Sequence, residues 1–156
     1  MIVTRQISFF IITVILIVGI SSCKSKKQKT HSNDKQSYTY TEVSKGSRSN
    51  ISEEKYVVIK DNQSFNKIYQ SINQTRQPDL SIPSVDFDNQ YILALFLGLK
   101  NTGGYSISID SIYLKSNEII VKVKEKKPKG MTTMALTTPY YFAKIKKTEK
   151  SILFIK

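Results

Sequence analysis

Cysteine and histidine are almost absent from this sequence, which has one of each, Cys23 and His31, in 156 residues. A serine or cysteine nucleophile of the usual kind needs a histidine base, and His31 lies in a polar stretch close behind Cys23. A structural or catalytic zinc site needs three or four histidine or cysteine ligands. The sequence therefore offers no catalytic triad and no zinc site, and we expect that the protein is not an enzyme.

Acidic residues are also few, and they offer only a weak cation site. Asp86 and Asp88 fall on one side of an extended segment, where two carboxylates could bind a hard cation. No third oxygen ligand is evident near them, and such pairs are more often solvated turn residues. We expect no bound metal and no cofactor.

Basic residues outnumber acidic ones by 24 to 12, which gives a net charge of +12. Nucleic-acid binding is a common reason for such charge. Arginine, whose planar group suits phosphate best, is scarce here, and the export signal described below keeps the chain away from nucleic acid. The lysines of residues 122–126 are better explained as protection of an edge strand against pairing, with attraction to an acidic partner as the alternative.

No apolar run near the N-terminus is long enough to cross a membrane. The run at residues 7–20 follows Arg5 and, as a helix, would reach about 21 Å against a hydrocarbon core of ~30 Å. A basic residue followed by a short apolar run is typical of an export signal. We predict a signal peptide at residues 1–22.

The four residues that follow this run, Ile-Ser-Ser-Cys at 20–23, resemble the lipobox of bacterial lipoproteins. In that motif the cysteine receives the lipid. Cys23 has no other cysteine to pair with, and lipidation explains an unpaired exported cysteine. We therefore predict lipidation at Cys23, with palmitate among its acyl chains, and a membrane-anchored location in the bacterial cell envelope, at the outer membrane or the periplasmic face.

Residues 24–50 are poor in aliphatic side chains and rich in lysine, serine and threonine. Such a segment buries too little apolar surface to offset the entropy of ordering, so residues 23–50 are predicted to be a lipidated, flexible, basic tether. Residues 51–156 have the usual size of one domain.

The pattern within residues 51–156 predicts an α+β domain, with one amphipathic helix packed on a curved, mainly antiparallel sheet and barrel-like closure as the alternative. Phe65, Ile68, Tyr69 and Ile72 recur at helical spacing, after a capping Asp61 or Asn62. The unbroken apolar run at residues 91–98 indicates a central strand covered on both faces. In each of the last three pairs of successive strands, a short polar turn separates the two strands, which indicates hairpins.

A glycine pair, Gly103 and Gly104, stands between two of these strands. The pair lacks the lysine and serine or threonine of a P-loop, and it leads into a strand where a dinucleotide-binding motif would lead into a helix. A sharp corner that needs positive φ is therefore the better interpretation. The phase of alternation slips near Asp110 or Ser111, which predicts a bulge.

The second half of the domain resembles the C-terminal domain of the PrcB family. The motifs that carry the resemblance are Gly98, then Thr102-Gly103-Gly104-Tyr105, a Pro-Lys-Gly connector at 128–130, and Thr138-Pro139-Tyr140, in this order and with strands between them. The similarity extends from about residue 91 to the last strands. The resemblance implies a non-catalytic accessory subunit of a surface protease complex.

We expect such a subunit to bind or stabilise an envelope protein partner, such as a protease. Methionine and tyrosine are common at adaptable contact surfaces. The candidate contact residues are Thr102, Gly103, Gly104, Tyr105, Met131, Tyr140 and Tyr141. The competing interpretation is that Met134 and Leu136 plug the open end of the sheet. At the level of function, a protease inhibitor or a ligand-binding envelope lipoprotein is the alternative.

Overall fold

The computed structural model describes residues 36–156, in which it shows eight β-strands and one α-helix. In chain order these are β1 (Gln36–Ser37), β2 (Tyr40–Gly46), β3 (Glu54–Ile59), α1 (Asn62–Asn73), β4 (Gln90–Leu97), β5 (Ser106–Lys115), β6 (Glu118–Lys126), β7 (Tyr140–Lys146) and β8 (Ser151–Ile155). The predicted signal peptide, the lipidation site Cys23 and the start of the predicted tether lie outside the described residues. No helix within the described range has the length and hydropathy to cross a membrane.

The strands form two four-stranded sheets. The first has the order β1-β5-β6-β8 and the second the order β2-β7-β4-β3. All neighbouring strands are antiparallel except β6 and β8, which run parallel. Alternate side chains of β4, β5, β6 and β7 form the larger of two buried clusters, and these strands come from both sheets. The main hydrophobic core therefore lies between the two sheets.

Strand β4 is buried on both faces, as predicted. Leu93 and Leu95 belong to the core between the sheets, whereas Ile92 and Phe96 belong to the second buried cluster, on the other face of the same sheet. This explains why the strand has an unbroken apolar run. Each face of an interior strand needs an apolar side chain when both faces are covered.

The helix α1 begins where the sequence predicts. The Asp61 carboxylate accepts a hydrogen bond from the backbone N–H of Ser64 at 2.7 Å, as an N-cap does. Phe65, Tyr69 and Ile72 are buried in the second cluster, which is the smaller one. The Phe65 ring lies 6.1 Å from that of Phe142 in β7.

The predicted fold class is wrong. The protein is mostly β, with two sheets and one short helix, where the prediction was an α+β domain built from an amphipathic helix on a single sheet. Nor do the two sheets close into a barrel within the described residues. The error arises at the predicted hairpin between β7 and β8: the turn is short, but β7 pairs with β4 and β2, whereas β8 crosses over to pair with β6.

Two further corrections concern strands near sheet edges. Residues 40–46, predicted to be part of the flexible tether, form β2 and pair with β7. Tyr38 and Tyr40 pack against the main core, and aromatic residues supply apolar area that a count of aliphatic side chains overlooks. The lysine-bearing strand β6 is an interior strand between β5 and β8, so its lysines do not protect an edge.

The predicted bulge in β5 is confirmed. The register between β5 and β6 shifts between Ile109 and Ser111. The extra residue moves the following side chains to the other phase, and Ile112 returns to the buried side.

Candidate functional site

Two loops meet at one end of the sandwich, and we call residues 98–105 and 127–139 the loop surface. The first loop joins β4 to β5 and the second joins β6 to β7. Lys100 and Thr137 pair as an antiparallel bridge, with backbone hydrogen bonds of 2.8 and 2.9 Å. The N–H of Gly103 donates to the carbonyl of Thr133 at 3.0 Å. These bonds hold the two loops against each other.

Gly103 and Gly104 form a corner that only glycine fits well. A Cβ on Gly103 would lie 2.4 Å from the Thr133 hydroxyl oxygen. Gly104 has a φ of +85°, and a Cβ there would lie 2.9 Å from the Cβ of Pro128. The pair therefore lets the first loop pass close to the second, as the predicted corner requires.

Threonines anchor the second loop to the first loop and to the connection between β2 and β3. The Thr137 hydroxyl donates to the carbonyl of Thr102 at 3.0 Å. The Thr138 hydroxyl oxygen accepts the backbone N–H groups of Ser49 and Asn50 at 2.8 and 3.0 Å. Both threonines are buried, so these bonds are shielded from water.

The loop surface carries large apolar side chains in solvent. Met131 and Met134 are fully exposed, at 104% and 99%, Leu136 is 64% exposed and Leu99 is 47% exposed. The interpretation that Met134 and Leu136 plug the end of the sheet is therefore wrong. Exposed methionine and leucine on loops that are tied together are typical of a contact surface.

Two pockets flank these side chains. One, of about 470 Å³, lies between the loops and is lined by Gly103, Gly104 and Met131 together with lysines of residues 126–129. The other, of about 620 Å³, includes Leu99 and Leu136. Both are open grooves rather than enclosed cavities, which suits a peptide or a protein side chain better than a small cofactor.

The charge of the loop surface is of one sign. Residues 98–105 and 127–139 contain Lys100, Lys127 and Lys129 and no acidic residue. Lys100 lies 5.6 Å from the centre of the Tyr105 ring, which places its charge at the corner. Tyr105 itself is half-buried against the main core.

Two of the predicted contact residues do not face solvent. Tyr140 is 2% exposed and lies in the cluster beside the helix, and Tyr141 is 5% exposed in the core between the sheets. The two tyrosines are buried on opposite faces of β7, because β7 is an interior strand and both of its faces are covered. Burial raises the pKa of Tyr141 to about 12, with the charge of Glu42 adding to the effect. Neither tyrosine can contact a partner without local unfolding.

The structure brings together the remaining candidates. Thr102, Gly103, Gly104, Tyr105 and Met131 lie on the loop surface, and β5 begins at Ser106, directly after Tyr105. Leu99, Thr133 and Thr137 also belong to it and were not singled out from the sequence. The threonines gave no usable signal, because a threonine-rich loop has no periodicity. Leu99 directly follows the glycine after the central strand, and this position is the signal that could have identified Leu99 as part of the site.

The acidic pair before β4 serves the turn. The Asp86 side chain accepts the N–H of Asp88 at 3.1 Å and the amide of Asn89 at 2.8 Å. The bond from Asn89 holds the pKa of Asp86 below its ordinary value. No cluster of three metal-ligating side chains is found among residues 36–156.

A second group with a shifted pKa lies at the far edge of the sandwich. Glu54 accepts hydrogen bonds from Lys156 and Tyr56, and the bond from Lys156 is the largest cause that lowers the pKa of Glu54. Glu54 and Lys156 are both substantially exposed. This arrangement joins β3 to β8 and has no nucleophile or base positioned for catalysis.

Comparison with known families finds one match. The model of the PrcB C-terminal family matches residues 91–146. Over these residues the chain is similar to the PrcB C-terminal family. No curated protein and no solved structure matches closely enough to add a relative.

The PrcB C-terminal match coincides with a distinct part of the fold. It spans β4, β5, β6 and β7, which are the two interior strands of each sheet, and it includes both loops of the loop surface. All four edge strands lie outside it. The PrcB family points to an accessory role in a protease complex. The loop surface therefore lies within the matched residues, whereas the edge strands of the sheets lie outside them.

Proposed function

We propose that this protein is a non-catalytic accessory subunit of the bacterial cell envelope, which binds and stabilises a partner of a protease complex through the loop surface. The observation that carries this proposal is the pair of tied loops with fully exposed methionines inside the PrcB C-terminal match. Monomeric proteins rarely expose large apolar patches without a partner. Fixed loops also lose little entropy when a partner binds.

The charge of the loop surface specifies the partner further. Three lysines and no acidic residue within the loop surface favour a partner face with apolar side chains and surrounding carboxylates. Such charge raises the rate of association more than the final affinity, and salt weakens it. Binding that relies on both apolar contact and charge attraction should become slower, but should not vanish, at high ionic strength.

Anchoring at Cys23 completes the proposal. The lipobox-like sequence, the apolar run before it and the lysines directly after it support a lipid-anchored chain held beside an anionic membrane surface. A mature lipoprotein carries more than one acyl chain, which holds a protein to a bilayer far more firmly than a single chain does. The domain would then be displayed close to the membrane where its partner works.

Metabolic labelling tests the anchor. We expect the full chain to incorporate alkyne-labelled palmitate and the Cys23→Ala variant to incorporate none and to leave the membrane fraction. Labelled palmitate on Cys23→Ala would exclude this site of lipidation.

A loss-of-subunit experiment tests the accessory role. Cells without this protein should contain less of the partner, and wild-type protein should restore it. A Met131→Ser, Leu136→Ser double variant should fail to restore the partner. The matched control is Ile82→Ser, which changes an apolar side chain that is 45% exposed and lies outside the loop surface. This control should restore the partner.

The same system separates an accessory subunit from an inhibitor. An accessory subunit raises or preserves protease activity in the envelope. If purified full-length protein in detergent instead lowers the activity of the protease in trans, the protein is an inhibitor and the accessory proposal fails.

A further inference from the structure

The sulfur atoms of this protein are concentrated on the loop surface. The sequence has three methionines and one cysteine. Met1 falls in the predicted signal peptide and Cys23 is the predicted lipidation site, so Met131 and Met134 would be the two free sulfur groups of the mature chain. Cysteine and methionine are the side chains whose sulfur two-electron oxidants attack. In this protein such an attack would therefore fall on the surface that is proposed to bind the partner.

Both methionines are open to dissolved oxidants. Met131 and Met134 are fully exposed, whereas the next most exposed large apolar side chain of the loop surface, Leu136, is 64% exposed. Gly130, directly before Met131, has a φ of +77° with nothing within 4 Å of an added Cβ, so the chain bends in open solvent there. Because oxidation of sulfur follows exposure, both thioethers should react without any opening of the fold.

Oxidation of these sulfurs would leave the fold intact. Neither buried cluster of residues 36–156 contains a methionine. The two loops are held together by backbone hydrogen bonds, from Gly103 to Thr133 and between Lys100 and Thr137, in which no methionine takes part. Methionine oxidation disrupts a protein when the sulfur lies in a core. Here the change would be confined to the contact surface.

The chemistry of the contact surface would change strongly. A thioether is soft and apolar, whereas a sulfoxide is polar. Met131 lines the groove between the loops together with Lys126, Lys127 and Lys129, and no acidic residue lines this groove. A sulfoxide oxygen in this groove would attract water and lysine ammonium groups, which are hydrogen-bond donors only. A partner would then have to strip a polar group of its hydrogen bonds where it previously met an apolar one.

The reaction needs only a hydroperoxide as co-reactant. The lone pair of the methionine sulfur attacks one peroxide oxygen, an S–O bond forms and the O–O bond breaks. The proton on the transferred oxygen passes to the leaving oxygen, which departs as water when the oxidant is hydrogen peroxide. The sulfur loses two electrons and the peroxide gains two. Methionine sulfoxide reductases reverse the change, so the modification is not permanent damage.

We propose that Met131 and Met134 form an oxidation site, at which hydroperoxides reversibly switch off the binding of the partner to the loop surface. The proposal rests on the proposed function, because it concerns the same surface. The oxidised protein stays folded, and it loses its contact with the partner until the sulfoxides are reduced.

Peptide mass spectrometry tests the site itself, without a partner. Full-length protein in detergent micelles is treated with hydrogen peroxide in the presence of acetylmethionine as an internal standard. We expect one added oxygen at Met131 and one at Met134, at rates close to that of the standard, and an unchanged midpoint of urea unfolding. Reaction roughly tenfold slower than the standard, or a lowered midpoint, would overturn the proposal.

A retention experiment tests the switch. The protein is oxidised alone, freed of peroxide, and mixed with detergent-solubilised envelope from cells that lack it, so the partner never meets the oxidant. We expect oxidised protein to retain at least roughly tenfold less of the envelope protease component than untreated protein does. Reductases for both sulfoxide epimers should restore retention. Failure of this rescue would overturn the proposal, because the loss would then come from other damage.

The untreated protein separates the two proposals. If untreated and oxidised protein retain the same amount, the oxidation switch fails and the proposed function stands. If untreated protein retains none, the proposed function fails and the switch fails with it.

A variant without these two sulfurs locates the effect. Met131→Leu, Met134→Leu keeps apolar side chains on the loop surface, and the amount of partner that it retains should be the same before and after peroxide, whatever its starting level. Adding Ile82→Met to this variant places a thioether at a position outside the loop surface that is 45% exposed. Oxidation at position 82 should not change retention. A loss after peroxide in either variant as large as in the wild type would overturn the proposal.

Discussion

At the scale of single residues, Gly104 shows how backbone conformation and close packing act together. Its φ of +85° is in the left-handed region, and a Cβ would meet Pro128 at 2.9 Å. Gly130 has a similar φ of +77°, but nothing lies within 4 Å of its added Cβ. We expect Gly130→Ala to cost about 1–2 kcal/mol of unfolding free energy from backbone strain, and Gly104→Ala to cost more. Urea unfolding of the two variants measures the difference, and equal losses would mean that the contact with Pro128 relaxes freely.

Thr138 is a second residue at which the structure predicts a specific effect of mutation. It is the acceptor for the N–H of Asn50, whereas the N–H of Ser49 also reaches the carbonyl of Thr138. Thr138→Val keeps the shape and removes the acceptor, so we expect a loss of about 1–2 kcal/mol in unfolding free energy. The exposed Thr132→Val is the control and should lose far less. A neutral Thr138→Val would show that water replaces the hydroxyl.

Tyr141 predicts a loss of stability in alkali. Its pKa in the folded state is about 12, above its ordinary value of 10.0, because the core disfavours the charged form. Below pH 10 the Tyr141 hydroxyl is neutral in both the folded and the unfolded chain, and the stabilisation is fully present. As the pH rises towards 12, Tyr141 ionises first in the unfolded chain, so this stabilisation is lost. Unfolding free energy measured across this range should fall less steeply for Tyr141→Phe than for the wild type. Identical slopes would mean that Tyr141 ionises equally in both states.

At the scale of elements, β4 and the second loop carry leucines with opposite roles. Leu95 in β4 is fully buried between the sheets, whereas Leu136 on the loop surface is 64% exposed. Leu95→Ala should lose about 2–5 kcal/mol of unfolding free energy. Leu136→Ala should change it by less than about 0.5 kcal/mol and should weaken partner binding instead. A large loss of stability for Leu136→Ala would mean that this side chain serves the fold.

The sequence predicts those elements whose pattern is local. The stripe of Phe65, Tyr69 and Ile72 locates the helix, the apolar run of β4 locates a doubly covered strand, and the phase slip at Asp110 locates a bulge. Each of these signals comes from neighbouring residues that share one environment. Their agreement with the structure shows that propensity and burial act in the same direction there.

The pairing of strands and the depth of the tyrosines are not local properties. A short turn between β7 and β8 has the same composition whether the chain turns back or crosses to the other sheet, so the two-sheet fold could not be derived from it. In the sequence, Tyr140 and Tyr141 resemble contact residues, because adjacent side chains of a strand point to opposite faces and cannot both enter one core. Here two different cores receive them, one on each face of β7.

At the scale of the whole molecule, the four interior strands form the PrcB C-terminal part and the edges form the rest. The loop surface lies on the first. The net charge of +12 favours an acidic partner at the proposed contact surface.

The most direct test of the loop surface as a partner-binding site is site-specific photocrosslinking in the native envelope. A photoreactive side chain replaces Met134, which is 99% exposed, in the full-length protein, and the control replaces Ile82. We predict one discrete adduct from position 134, containing a component of an envelope protease complex, which disappears with Leu136→Ser and is not formed from position 82. The same adducts from both positions, or none from position 134, would contradict the account.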